Sequence, residues 1–123
     1  MAAPQEEPRA IAMIHACIDE LGVNYFDTAN VYEGYDRVRS EDHVSEGKVA
    51  ELICGKAFAT RQRDEFVVAT KVGSPLPANG GTQSLAPDHI LSECDGSLER
   101  LGVDSIDIYY AHWPDDTGVP MVR

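Results

Sequence analysis

Three short apolar runs, each ending on a polar residue, are separated by amphipathic segments of helix length. That alternation restricts the fold more than any other feature of the chain. The runs are Asn24-Tyr25-Phe26-Asp27, Phe66-Val67-Val68-Ala69-Thr70-Lys71 and Ile106-Asp107-Ile108-Tyr109-Tyr110-Ala111-His112. They predict strands over 23–29, 66–71 and 106–112. Residues 5–21 carry Ile11, Ile14, Ile18 and Leu21 at helical spacing, and Gly22 is placed to stop that helix. A second helix is predicted over 46–59, capped by Ser45, with Val49, Leu52, Ile53 and Ala57 as its apolar positions. A third, over 87–101, opens on Pro87, carries Ile90, Leu91, Cys94, Leu98 and Leu101, and ends at Gly102. Gly96 in its interior costs about 1 kcal/mol relative to alanine. Polar residues 30–44, the turn Arg61-Gln62-Arg63-Asp64 and the Gly/Pro-rich stretch 73–87 read as connections.

The resulting order, α-β-α-β-α-β, points to a parallel sheet with helical crossovers. A run such as Phe66-Val67-Val68 suits a strand buried on both faces. The strands are expected side by side in the order 24–29, 66–72, 106–112, with right-handed crossovers. The first strand is followed by Asp27-Thr28-Ala29-Asn30-Val31-Tyr32, which has no G-x-G-x-x-G run, so a dinucleotide-binding Rossmann unit is disfavoured. The fold class is therefore α/β, a partial (β/α)8 TIM barrel of three parallel strands with intervening helices. A whole barrel takes about 250 residues. The 123 residues here are expected to form a single incomplete domain, 1–123, with 114–123 as a tail. Three strands leave two open edges, so self-association through them is expected.

Composition removes some partners. Ten Lys and Arg stand against 21 Asp and Glu, a net charge of −11. Nucleic acid and anionic membrane surfaces attract basic proteins and are not expected partners. The first ten residues lack the apolar core of a signal peptide, and no apolar run approaches the roughly 18 residues of a membrane helix. Cys17, Cys54 and Cys94 are odd in number and widely spaced, as reduced thiols of a cytoplasmic protein would be. No Cys or His pair has metal-ligand spacing, so no metal is expected. His15, His43 and His89 read as surface or helix-edge residues.

The chemistry lies at the strand ends. In parallel α/β architectures these ends face one rim, where reactive groups gather. Asp27, Lys71 and His112 each end a strand, and Tyr32 follows Asp27 by five residues. Thr28 and Asn30 read as turn residues, Asp107 as structural, and the run Asp36-Arg37-Val38-Arg39-Ser40-Glu41-Asp42 as a solvated loop.

Three segments share a resemblance. The run from Leu21 to Tyr32, the strand Val68-Ala69-Thr70-Lys71-Val72, and the unit Ser97-Leu98-Glu99-Arg100-Leu101-Gly102-Val103-Asp104 with Ile106 to Pro114 resemble, in order, the segments of aldo-keto reductases that carry the catalytic Asp and Tyr, the Lys and the His. The resemblance covers about residues 8–116. It implies an NAD(P)H-dependent oxidoreductase that reduces aldehydes or ketones to alcohols. Tyr32 would be the proton donor, Lys71 its tuner, Asp27 the anchor of Lys71, and His112 the orienter of the carbonyl oxygen. A free phenol is a weak acid–base catalyst near neutrality, with a pKa of about 10, and a neighbouring ammonium favours its ionised form. Tyr35, in Tyr32-Glu33-Gly34-Tyr35, stands as the alternative acid. Trp113 is read either as a wall of the substrate pocket or as a rim aromatic packed on Pro114. NADP(H) is the implied cofactor and a small carbonyl compound the implied substrate. Asp27 is the one expected cofactor contact, because the family's adenosine-phosphate site lies on later strands; binding of NADP(H) by this chain alone is not expected. The alternative reading is a non-catalytic interaction or regulatory fragment, since the potassium-channel β subunits share the same barrel.

Overall fold

A computed structural model describes residues 6–32, 49–76 and 80–119. Tyr35, the run 36–42, His43, the cap Ser45 and the first residues predicted for the second helix lie outside the described residues. The elements are α1 (Glu6–Asp19), β1 (Tyr25–Asp27), α2 (Val49–Phe58), a 3-10 turn (Arg63–Glu65), β2 (Val67–Val72), α3 (Pro87–Leu101) and β3 (Ile108–Ala111). The strands form one parallel sheet in the order β1-β2-β3, the architecture that the alternation implies. Asp27 lies opposite Ala69, and Lys71 opposite Tyr110.

Both outer strands are shorter than the apolar runs suggest, for local reasons. Beyond Asp27 the amide of Thr28 still reaches the Ala69 carbonyl at 2.9 Å, but the chain then turns, with Tyr32 N–H donating to Ala29 O at 3.1 Å. At the start of β3, the Asp107 carboxylate takes the Val68 amide at 2.8 Å and the Arg63 guanidinium at 2.6 Å. A side chain thus occupies a position that a longer ladder would use. Both bonds hold the Asp107 carboxyl below its ordinary range. Asp107, immediately before β3, is thus structural, as the sequence reading expects.

The helices pack on one face of the sheet. Ile14 of α1, Ile53, Ala57 and Phe58 of α2, Leu101 of α3, and Phe66 and Val68 form the buried cluster. Phe58 stacks on Phe66 at 4.0 Å between ring centroids and takes Phe26 edge-on at 5.5 Å. His15 is not a mere surface residue: its Nε2–H donates to Ala57 O at 2.8 Å and ties α1 to α2. α1 ends two residues earlier than the stripe predicts. Gly22 adopts φ +68 and turns the chain, which leaves Leu21 71% exposed. α3 runs from Pro87 to Leu101 as read from the sequence, and Gly102 closes it at φ +64 with its amide on Glu99 O and the Val103 amide on Leu98 O.

Two stripe assignments need correction. Leu52 and Leu91 are exposed, and the packed face of α2 carries Glu51 and Gly55 instead. A Cβ on Gly55 would overlap the Arg100 carbonyl, so α2 and α3 meet backbone to backbone there. That approach seals Glu51 from solvent. Its Oε1 accepts from Thr70 Oγ1 at 2.5 Å and its Oε2 from Arg100 Nε at 2.6 Å. The carboxylate therefore joins α2, β2 and α3 at one buried point.

Removing one partner of a buried ion pair strands the other. Glu51→Leu is expected to cost about 3–5 kcal/mol in urea unfolding, and Glu51→Leu with Arg100→Met distinctly less. Equal losses in the two variants would show that the pair is not the joint described here.

Candidate active site

The register of the sheet assembles the rim. Asp27 opposite Ala69 puts Lys71 two residues further along the same face of β2, within reach of the end of β1. Lys71 Nζ donates to Asp27 Oδ1 and, at 2.9 Å, to the Thr28 carbonyl. The lysine side chain is 12% exposed and that of its carboxylate partner 44%, so the ammonium is enclosed while Asp27 opens to the rim.

Tyr32 enters from the loop after β1. Its amide closes the turn on Ala29, and its carbonyl accepts from the Ala50 amide at the start of α2 at 3.1 Å. Between these anchors the phenol ring presents its face to Lys71, with Nζ 4.8 Å from the ring centroid. The contact is thus cation–π, and the bonds that Nζ makes among the described residues go to Asp27 and Thr28.

His112 follows β3. Its amide donates to Val72 O at 2.8 Å, which continues the ladder one residue past the strand. The imidazole meets the Tyr32 ring edge-on at 5.8 Å between centroids. Nδ1 lies 2.8 Å from Ser74 Oγ. Burial, and then the Lys71 ammonium, hold the His112 ring below the ordinary imidazole range, against the opposing Asp27 carboxylate. Trp113 stacks on His112 at 5.6 Å and remains 49% exposed.

The four residues singled out from the sequence therefore converge at one rim, with Trp113 beside them. Thr28 and Asn30 are turn residues and also buried, and Asn30 Nδ2 donates to Glu93 Oε2 at 2.6 Å, binding the turn to α3. Ser74 escaped the sequence reading because it sits in a Gly/Pro-rich loop. The available signal was its place three residues after Lys71, two residues beyond the end of the same strand. Among the described residues, no three of His, Cys, Asp and Glu are placed to share a metal ion, and no helix is long and apolar enough to cross a membrane.

The segment after β3 is tied to the same corner. Asp115 accepts from the amides of Leu85 at 2.5 Å, Thr117 at 2.8 Å and Val119 at 3.0 Å. These donors pull its carboxyl down to about 2.

The His112 environment makes a titration prediction. A ring that resists protonation in the fold loses out once the unfolded chain begins to protonate, near pH 6.5. Its contribution to stability is full above that pH and is lost as pH falls below it. By NMR the His112 midpoint is expected below 6.5, and Lys71→Met should raise it by removing a neighbouring positive charge. A midpoint that stays put or falls in Lys71→Met would contradict this account.

A model of the Aldo/keto reductase family matches residues 2–119. A Schizosaccharomyces pombe protein named "Putative voltage-gated potassium channel subunit beta" is 37% identical over 108 residues, which cover 83% of this chain and 26% of that protein. Among solved structures, a thermostable aldo-keto reductase in complex with the inhibitor epalrestat matches with a TM-score of 0.69 at 24% identity, covering 96% of this chain and 35% of that one. An aldo-keto reductase from Bacillus halodurans in apo form matches with a TM-score of 0.53 at 30% identity, covering 84% and 26%. This chain thus spans 26% to 35% of the length of these relatives. With the fold shared and the family model matched over nearly the whole sequence, the chain belongs to the aldo/keto reductase family, whose members are generally NAD(P)H-dependent oxidoreductases.

Proposed function

We propose that this chain carries the proton-transfer site of a carbonyl reductase, with Tyr32 as the proton donor to a small aldehyde or ketone. One observation carries the reading: a single enclosed ammonium, Lys71, is held by Asp27 and lies against the ring of Tyr32, which in turn meets His112. NADP(H), when bound, supplies a hydride to the carbonyl carbon. The chain's own residues then handle the oxygen. Negative charge builds on that oxygen as the carbon is reduced, and the Tyr32 hydroxyl gives it a proton to complete the alcohol. Lys71 stabilises the phenolate left behind, and Asp27 keeps the lysine charged and in place. Tyr32 is 39% exposed, so water reaches it to restore the proton. His112 hydrogen-bonds the carbonyl oxygen and orients it. Trp113, stacked on His112 and half open, forms a wall for the substrate.

The residues present suit the reacting end of the cofactor. Asp27 opens to the rim beside Lys71 and can accept a hydroxyl of the nicotinamide-side sugar. The phosphates are another matter. Lys56, Arg61, Arg63, Lys71 and Arg100 each already face a carboxylate. The free cysteines suit a reducing, cytoplasmic setting. The name of the fission-yeast relative, a channel β subunit, favours a second reading in which the same scaffold binds a partner instead of turning over substrate.

Catalysis is tested by placing residues 6–119 in a full-length aldo-keto reductase in place of its matching segment. Tyr32→Phe in that graft is expected to lower kcat by about 100-fold or more, since the proton is lost and the packing kept. Lys71→Met should be comparably damaging. Undiminished turnover in Tyr32→Phe would rule out this assignment and pass the acid role to Tyr35.

For the 123-residue chain alone, self-association through the edges of β1 and β3, and no measurable NADPH binding, are expected. Fluorescence titration beside size-exclusion chromatography checks both. Micromolar binding by a monodisperse monomer would refute them.

A further inference from the structure

The corner that leaves β2 holds His112 twice. Its backbone amide is on Val72 O, and its ring Nδ1 is 2.8 Å from Ser74 Oγ. Between them Gly73 adopts φ +89, a conformation that L-residues with side chains avoid, and a Cβ there would press on the Leu85 side chain at 2.8 Å. The glycine lets the chain bend so that Ser74, only 1% exposed, meets the histidine. The ring is also confined by Trp113 on one face and Tyr32 at its edge.

We propose that Ser74 is a positioning residue whose hydroxyl donates to His112 Nδ1, so that the ring carries its proton on Nε2 and offers Nε2–H to the carbonyl oxygen. The proposal rests on the reductase reading above. A neutral imidazole has one N–H and one bare lone pair, and the partner of one nitrogen decides the state of the other. Burial and the charge of Lys71 keep the ring neutral, so the choice is between two tautomers. A serine hydroxyl can donate or accept. If Nδ1–H donated to Ser74, Nε2 would present a lone pair, which repels a carbonyl oxygen. If Ser74 donates, the far nitrogen becomes the donor that the developing oxyanion needs.

The test reads the tautomer directly, by long-range proton–nitrogen NMR of the 15N-labelled 123-residue chain. The wild type and Ser74→Thr, which keeps the hydroxyl, are expected to show His112 protonated on Nε2. Ser74→Ala is expected to mix the tautomers and to raise the His112 titration midpoint, because a donor that favours the neutral ring has gone. An Nδ1-protonated ring in the wild type overturns the proposal without need of any variant. So does a Ser74→Ala ring that keeps both tautomer and midpoint. In the full-length graft, Ser74→Ala should lower kcat/KM for an aldehyde by about tenfold, with the KM for NADPH unchanged and activity recovered in Ser74→Thr. Unchanged kcat/KM would also refute it. If instead Tyr32→Phe keeps full turnover, the assignment of Tyr32 as the acid fails, while the His112 tautomer still reports on Ser74.

Discussion

An enclosed ammonium needs a counter-charge, and the way Lys71 obtains one governs the rim. The carboxylate comes from β1, and it is within reach because the parallel register sets Asp27 against Ala69, two residues before the lysine. A slip of one residue would turn Lys71 toward the helix layer, among Val68, Phe58 and Leu101. With the register fixed, the same ammonium attracts the Tyr32 ring and helps keep His112 neutral. One charge thus conditions both groups assigned to the carbonyl oxygen.

The register is held from behind by two carboxylates that clamp the central strand. Glu51 reaches Thr70 from α2, and Asp107 reaches the Val68 amide from the start of β3. Each also engages an arginine, Arg100 or Arg63. Burying Glu51 costs solvation, so the pair adds little net stability. Its consequence is geometric: α2, α3 and β2 can share it in only one arrangement, which the bare backbone at Gly55 allows. Thr70 immediately precedes Lys71, so the clamp lies one residue behind the rim that gathers Asp27, Lys71, Tyr32 and His112.

The opposite face of the sheet has a different character. Tyr25 and Tyr110 meet across it with their phenol oxygens 3.3 Å apart, and both are 41% exposed. Their contact pushes the Tyr25 phenol up to about 12. This face carries Lys71 at one end and aromatic surface below it, whereas the helix face is sealed. The proposed site lies where the two environments meet, with an enclosed charge beside an accessible phenol.

Much of this was legible in the chain because it depends on local spacing. Period-two and helical patterns set the element order and the parallel strand order, and Pro87 and Gly102 bounded α3 at both ends. Asp27, Lys71 and His112 stood out because each ends an apolar run, and strand ends of a parallel sheet share a rim. The fate of Glu51 was not legible, since a glutamate beside Leu52 on a helix reads as solvated. Its burial depends on Thr70 and Arg100, 19 and 49 residues away in sequence. The same holds for Leu21, Leu52 and Leu91, which match a stripe yet stay exposed, and for Ser74, whose meaning comes from a histidine 38 residues on. The sequence by itself determined which residues share a face and which end a strand, because backbone geometry sets those periodicities. Only the tertiary structure decided which polar groups are enclosed and which partner each receives, because desolvation and hydrogen bonding are settled by whatever distant segment packs against them.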